Sequence, residues 1–289
     1  MLVSDYNATL HSGAEPKQLA LVYGEPFSGK TYLVGMLAKY YNIKWIDLDN
    51  GSISLTNLPA EYQKRIDVLK IQDSSTSPRS PVTVNKLLKS EKTVCVEDRT
   101  GKVQVGKDSL PEGMEGICWN LSQLTTQDVL VIDPLTTFSE SIMDYYLKIT
   151  DDLDFVKRGY TEYDSQGMYL RSFLMHLKKL PCHVVVITHQ EELEQETSDK
   201  KLTPLGGTRN FSKLIARKFD YAVQIEIKNK SQRVNINAFD TNRAVVGARI
   251  PKEFKKPEDF AEIFKLPATG ASSISASPNK SGNSGLVNK

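Results

Sequence analysis

Gly24-Glu25-Pro26-Phe27-Ser28-Gly29-Lys30-Thr31 reads G-x-x-x-x-G-K-T, the spacing of a phosphate-binding loop. Its flanks are those the motif requires. Leu19-Ala20-Leu21-Val22-Tyr23 is a short apolar run, read as a buried strand. Downstream, Leu33, Val34, Leu37, Ala38 and Tyr41 recur at helical spacing, so the loop opens a helix. The chemistry depends on that order. Glycines let backbone N–H groups close around phosphate oxygens, and the helix N-terminus adds partial positive charge. In this frame Lys30 reaches the β- and γ-phosphates and Thr31 ligates Mg²⁺. The stretch predicts a nucleoside triphosphate site.

Outward from the loop, strands and helices alternate as in a parallel sheet. Ile43 to Leu48 and Ile66 to Ile71 read as the second and third strands. Asp128-Val129-Leu130-Val131-Ile132-Asp133 is a buried strand ending in an acid. Ser165 to Leu180 is an amphipathic helix with Leu170, Phe173, Leu174, Leu177 and Leu180 on one face. His183 to Thr188 is another apolar strand; Tyr221 to Ile227 and Val234 to Phe239 alternate like antiparallel strands around a Lys/Asn/Ser turn. The predicted class is α/β: a mostly parallel sheet flanked by helices, with antiparallel C-terminal strands.

Two stretches interrupt the core. Ser74 to Pro81 is a Ser/Pro-rich loop. Thr93 to Val105 reads as a hairpin around Asp98-Arg99-Thr100-Gly101, an excursion over about 92–106. The expected organisation is an N-terminal arm at 1–17, a core at 18–267, and a Ser/Gly/Asn-rich tail at 268–289 too polar to order itself.

Composition bounds the rest. The chain has 289 residues, 39% hydrophobic and 25% charged, with a net charge of +2. No global field marks a nucleic-acid binder, so any such surface is local. Three widely spaced cysteines, Cys95, Cys118 and Cys182, with no C-x-x-C pair, predict free thiols in a reducing cytoplasm and no zinc site. No apolar run reaches the ~18 residues that span a bilayer, so no membrane partner is expected.

Further site candidates sit at strand ends. Asp133 delivers a carboxylate beside the phosphate loop, where it would hold Mg²⁺ through water. Asp49, at the C-terminal end of the second strand, is the candidate to orient or deprotonate water. Alternation puts Asp47 on the same side, and Asp47 is the alternative. His189 and Gln190 follow the strand Val184 to Thr188 and suit a sensor of nucleotide state; the sequence does not separate the two. Lys200 and Lys201 lie in a polar loop, and Arg209, Lys213 and Arg217 recur every four residues, on one helix face. They are candidate phosphate contacts for a polyanion, against the alternative of a solvated surface; the acidic run Glu191-Glu192-Glu194-Glu196 opposes a uniformly basic groove.

Four pieces in this order resemble the RecA-type core: Gly24 to Thr31, Ile46-Asp47-Leu48-Asp49, Val131-Ile132-Asp133 and Ile187-Thr188-His189-Gln190. Thr203-Pro204-Leu205-Gly206-Gly207 and a basic helix then stand where RecA-like proteins carry a mobile DNA-binding loop and a Gly-Gly step. More narrowly, the chain resembles phage-encoded RecA-like ATPases of single-strand annealing and recombination, over about Gln18 to Ile250. The resemblance implies ATP and Mg²⁺ as ligands, single-stranded DNA and a homo-oligomer (ring or filament) as partners, and a phage protein in the host cytoplasm. A single-strand DNA-binding protein is a further implied partner. Asp49 then replaces a catalytic glutamate that is one methylene longer. A basic residue supplied across the protomer interface is also implied, with Arg243 and Arg249 as candidates, and Lys228 or Lys230 beside them. The alternatives are a hexameric helicase or motor on the same core, and an annealing module that ATP gates with little hydrolysis.

Overall fold

A computed structural model describes residues 16–74, 76–98, 101–149, 160–194, 200–237, 244–250 and 252–265. Most of the expected arm and all of the expected tail lie outside the described residues, as does Arg243. The chain runs β1 (Leu19–Gly24), α1 (Lys30–Gly35), β2 (Asn42–Asp47), β3 (Ile66–Lys70), α2 (Ser80–Lys89), β4 (Val94–Glu97), β5 (Val103–Val105) and β6 (Gly116–Trp119). It continues through β7 (Asp128–Asp133), α3 (Leu135–Ile149), α4 (Tyr160–Lys179), β8 (His183–Glu194), β9 (Lys200–Pro204), α5 (Arg209–Ile215), β10 (Tyr221–Lys228), β11 (Ser231–Asn235) and β12 (Gly247–Ala248).

The main sheet has the order β11-β10-β1-β8-β7-β2-β3. All neighbours from β10 to β3 are parallel; β11 returns antiparallel through a two-residue turn. That turn places Asn229 and Lys230 at φ of 54° and 63°, the left-handed pair such hairpins need. A parallel sheet is covered on both faces, which is why β1 and most of β7 are continuous apolar runs with no exposed position. On one face α2, α3 and α4 bring Val84, Leu87, Phe138, Ile142, Phe173 and Leu177 onto Leu21, Leu130 and Val186. On the other, Leu33, Val34 and Leu37 join Phe260 and Phe264 over Val22, Trp45, Val131 and Val185. The parallel strands share a direction, so the loops after β1, β2, β7 and β8 gather at one edge, where ligand sites of such sheets form.

The excursion is a three-stranded antiparallel sheet, β5-β4-β6, with one strand more than expected. It corrects the cysteine reading. Cys95 and Cys118 are register partners on β4 and β6, their Cα atoms 4.0 Å apart, and they form a disulfide. Distance along the chain hid a pairing that the strand register creates. Cys182 is free and buried.

Two further expectations change. Lys200 and Lys201 belong to β9 rather than to a loop, because β8 runs on past the core and Gln190 to Glu194 pair antiparallel with Lys200 to Pro204. The basic helix is short: α5 ends at Ile215, and Ala216–Lys218 is a 3₁₀ turn, so Arg217 leaves the regular helical spacing. Among the described residues no helix is long and apolar enough to cross a membrane.

Candidate nucleotide site

The phosphate loop joins β1 to α1. Gly29 has φ of 83°, a left-handed conformation natural to glycine, and Lys30 begins the helix immediately after it. Phe27 takes φ of 62°, uncommon for an aromatic residue, and its side chain is fully exposed. The Lys30 ammonium is folded into the loop, donating to the carbonyls of Gly24 at 3.0 Å and Glu25 at 2.6 Å. Burial lowers its pKa to about 8, although Asp133, Asp49 and Glu25 all pull upward. Ser28 Oγ is buried with no hydrogen-bond partner among the described residues. A cavity of about 640 Å³ opens on the loop, lined by Lys30, Thr31, Asp49, Asp133 and His189, with Phe27, Tyr32 and Ile53 as its apolar wall.

Two oxygens of the kind a hard cation takes lie side by side. Thr31 Oγ1 donates to Asp133 Oδ2 at 2.9 Å, so a hydroxyl from α1 meets a carboxylate from β7. Mg²⁺ takes one or two protein oxygens and fills its remaining positions with phosphate and water, which this pair permits. Asp133 is buried, and burial pushes its carboxyl up to about 7; the Thr31 hydrogen bond pulls down, while Asp49 and Asp47 push further up. A divalent cation would reverse that balance and hold the carboxylate ionised.

The two acids at the end of β2 and just beyond it divide their work. Asp47 faces Asp133 in register but spends its oxygens on the chain, accepting from the N–H groups of Asp49 at 3.3 Å, Gly51 at 3.1 Å and Ser52 at 3.1 Å. It builds the loop that carries Asp49. Asp49 accepts one N–H, from Gly51 at 2.9 Å, and lines the cavity. Its pKa is raised, chiefly by burial, towards the range useful to a general base.

His189 and Gln190 part company because consecutive strand residues face opposite sides of a sheet. His189 lines the cavity, and its ring pKa is lowered by burial and then by Lys30. Gln190 turns to the other face. There its Nε2 donates to Glu25 Oε1 at 3.2 Å, and its Oε1 accepts from Gln224 Nε2 at 3.3 Å. Three amide residues that sequence reading missed complete the surroundings. Gln232 on β11 donates to Ser28 O at 2.7 Å and lies where a Gly29 side chain would stand. Gln224 and Asn235 are buried and bonded to each other. Gln224 did leave a signal: one polar residue within the apolar run Tyr221 to Ile225, where a buried amide needs a partner.

The basic candidates lie beyond this site. Arg209, Lys213 and Arg217 are exposed, and α5 packs against β9. Lys200 sits opposite Glu194 in the β8–β9 register, and Lys201 opposite Leu193. The Gly206-Gly207 step follows β9; Gly207 has φ of 75°, and a side chain there would fall 2.5 Å from Leu170 on α4. Arg249 is engaged within its own chain, its Nε 3.2 Å from Asp220 Oδ1.

A family model of the AAA domain matches residues 17–254. The chain belongs to the AAA-domain family. With β8 set between the phosphate-loop strand and the Asp133 strand, it is an α/β P-loop domain of the AAA kind. Comparison with curated proteins gives no match. Among solved structures it is similar to a prototypical ATPase from the type III secretion system of pathogenic bacteria, at 12% identity and a TM-score of 0.40, over 72% of this chain and 51% of that one. It is also similar to the assembled ATPase EscN from the type III secretion system of enteropathogenic E. coli, at 11% identity and 0.37, over 72% and 43%. The chain spans about half the length of these ATPases.

Proposed function

We propose that this P-loop ATPase hydrolyses ATP with Mg²⁺ and uses the cycle to control its hold on single-stranded DNA, as a homo-oligomeric recombinase or single-strand annealing protein. One observation carries the reading. β8 runs without a break from the cavity, where it places His189, into the β8–β9 hairpin; α5 packs on β9 with Arg209 and Lys213 exposed, and Arg217 is exposed on the 3₁₀ turn that follows. The strand that leaves the candidate nucleotide site thus pairs with the strand that carries the basic helix. At the site, Lys30 and the loop N–H groups would meet the phosphate charge. Thr31 and Asp133 would hold Mg²⁺, which would supply neutralisation of phosphate charge. Asp49, with its raised pKa, orients water and accepts its proton.

The test pairs DNA binding with turnover. Wild type and an Arg209→Ala, Lys213→Ala, Arg217→Ala variant are titrated with a fluorescent single-stranded oligonucleotide over a series of salt concentrations, and ATP turnover is measured with and without DNA. The variant is expected to bind all sequences more weakly, its salt slope flattened by about 0.7 per lost contact. DNA should accelerate wild-type turnover and leave the variant at its basal rate. Equal affinity and equal salt slope would return this surface to a solvated role and remove the DNA reading.

A further inference from the structure

Gln224 occupies a place where packing alone would ask for an apolar residue. It is 1% exposed, in the middle of β10. In register it lies beside Tyr23 of β1, which lies beside Thr188 of β8, so all three share a sheet face, and Gln190 joins them two residues on. β1 ends at Gly24, leaving Gln224 a path past it to Gln190. The resulting chain has four members. Asn235 Nδ2 donates to Gln224 Oε1 at 2.8 Å, Gln224 Nε2 to Gln190 Oε1 at 3.3 Å, and Gln190 Nε2 to Glu25 Oε1 at 3.2 Å. Its polarity is fixed by its end. A carboxylate only accepts, so Gln190 must turn its NH₂ to Glu25 and its oxygen to Gln224, which orients each amide behind it.

The two ends of Gln190 are both consequential. It is the first residue of β8 paired with β9, opposite Pro204, so it roots the hairpin. Through Glu25 it grips the phosphate loop, at the residue whose carbonyl receives Lys30 at 2.6 Å. A phosphate that draws the Lys30 ammonium outward therefore releases the backbone of the residue whose side chain Gln190 holds.

We propose that Gln224 and Asn235 are positioning residues: they hold Gln190 between Glu25 and the hairpin root, so that nucleotide at the phosphate loop changes the stability of the β8–β9 hairpin. The device acts through hydrogen-bond geometry and involves no DNA. Its test is therefore separate from that of the DNA reading.

The experiment is amide hydrogen exchange on the full chain with and without saturating Mg²⁺ and a non-hydrolysable ATP analogue, read over residues 190–194 and 201–203. Wild type is expected to change hairpin exchange by about tenfold or more on binding, as local opening equilibria shift. In Gln224→Met/Asn235→Leu, which removes both amides together and orphans neither, the change should fall below about threefold while the core strands keep their protection. Glu25→Ala, at the exposed end where folding is not at stake, should lose the response as well. Glu25→Gln, which keeps an acceptor, should retain it. No nucleotide-linked change in the wild-type hairpin, or a full change in both the double variant and Glu25→Ala, would overturn the proposal.

Discussion

Asp133→Asn should make the metal-free, nucleotide-free protein more stable as pH rises, relative to wild type. The carboxyl is buried between Asp47, Asp49 and the sheet, and its pKa is pushed from 3.8 up to about 7, first by burial. The folded chain therefore holds this proton more tightly than the unfolded chain does. Between those two values folding takes up a proton, so stability falls as pH rises, and the full penalty is present above about 7. At about 1.36 kcal/mol per pH unit, ionising Asp133 in the folded state costs on the order of 4 kcal/mol at about pH 8. On the order of 2–3 kcal/mol of that accrues between about pH 5 and pH 8. The amide of the variant has no such titration, and its oxygen still accepts from Thr31. Its NH₂ group adds a cost of about 1–3 kcal/mol that does not depend on pH. Other buried groups titrate in the same window with opposite sign: His183 is lowered to about 4 by burial, and it stabilises as pH rises. Only the difference between variant and wild type isolates Asp133. Denaturant unfolding of both proteins across this range, with chelator, is the assay. The stability difference should move in favour of the variant by on the order of 2–3 kcal/mol between about pH 5 and pH 8. A difference flat to within about 0.5 kcal/mol would refute the argument that burial holds a proton on Asp133.

The same site yields two kinetic expectations. Lys30→Ala should lose about 2.7–4 kcal/mol of phosphate stabilisation, seen as abolished MgATP turnover with an unchanged circular dichroism spectrum; normal turnover would remove Lys30 from the site. Asp49→Asn keeps the loop bond to Gly51 and loses the base, so nucleotide affinity by calorimetry should persist while hydrolysis drops on the order of 10²-fold. Unchanged hydrolysis would move the water-orienting role off Asp49, and the loop bonds of Asp47 make that residue a poor replacement.

Much of the sheet was legible because buried parallel strands are written as apolar runs: Leu19 to Tyr23, Val129 to Ile132 and Val184 to Ile187 stand out. What the sequence concealed depends on packing and register. α2 begins at Ser80 with Pro81 in its first turn, and α3 opens with Leu135-Thr136-Thr137, a poor helical start. α3 is held by Phe138 and Ile142 against the sheet rather than by propensity, so its local signal is weak. β6 is Gly116–Trp119, too short to show alternation, and without it the Cys95–Cys118 pairing has no frame. The Asp47 and Asp49 ambiguity was local too: one ends β2 and the other lies two residues on, and only the turn at Gly51 and Ser52 shows which carboxylate the backbone consumes.

The His189 and Gln190 pair shows how period two resolves what composition cannot. A loop would leave both side chains free to choose the cavity. A strand continuing to Glu194 forbids that, since neighbours on it must face opposite sides. Once β8 pairs with β1 on one side and, further along, with β9, His189 is committed to the cavity and Gln190 to the amide chain. Their backbones adjoin through one peptide, and Leu205 N–H returns to His189 O at 2.8 Å to close the base of the hairpin. On the proposal above, a displacement of the phosphate loop reaches the hairpin root through Glu25 at Gln190, while His189 faces the cavity from the other side of the strand. That favours a coupling built on the strand itself over one built on a flexible tether.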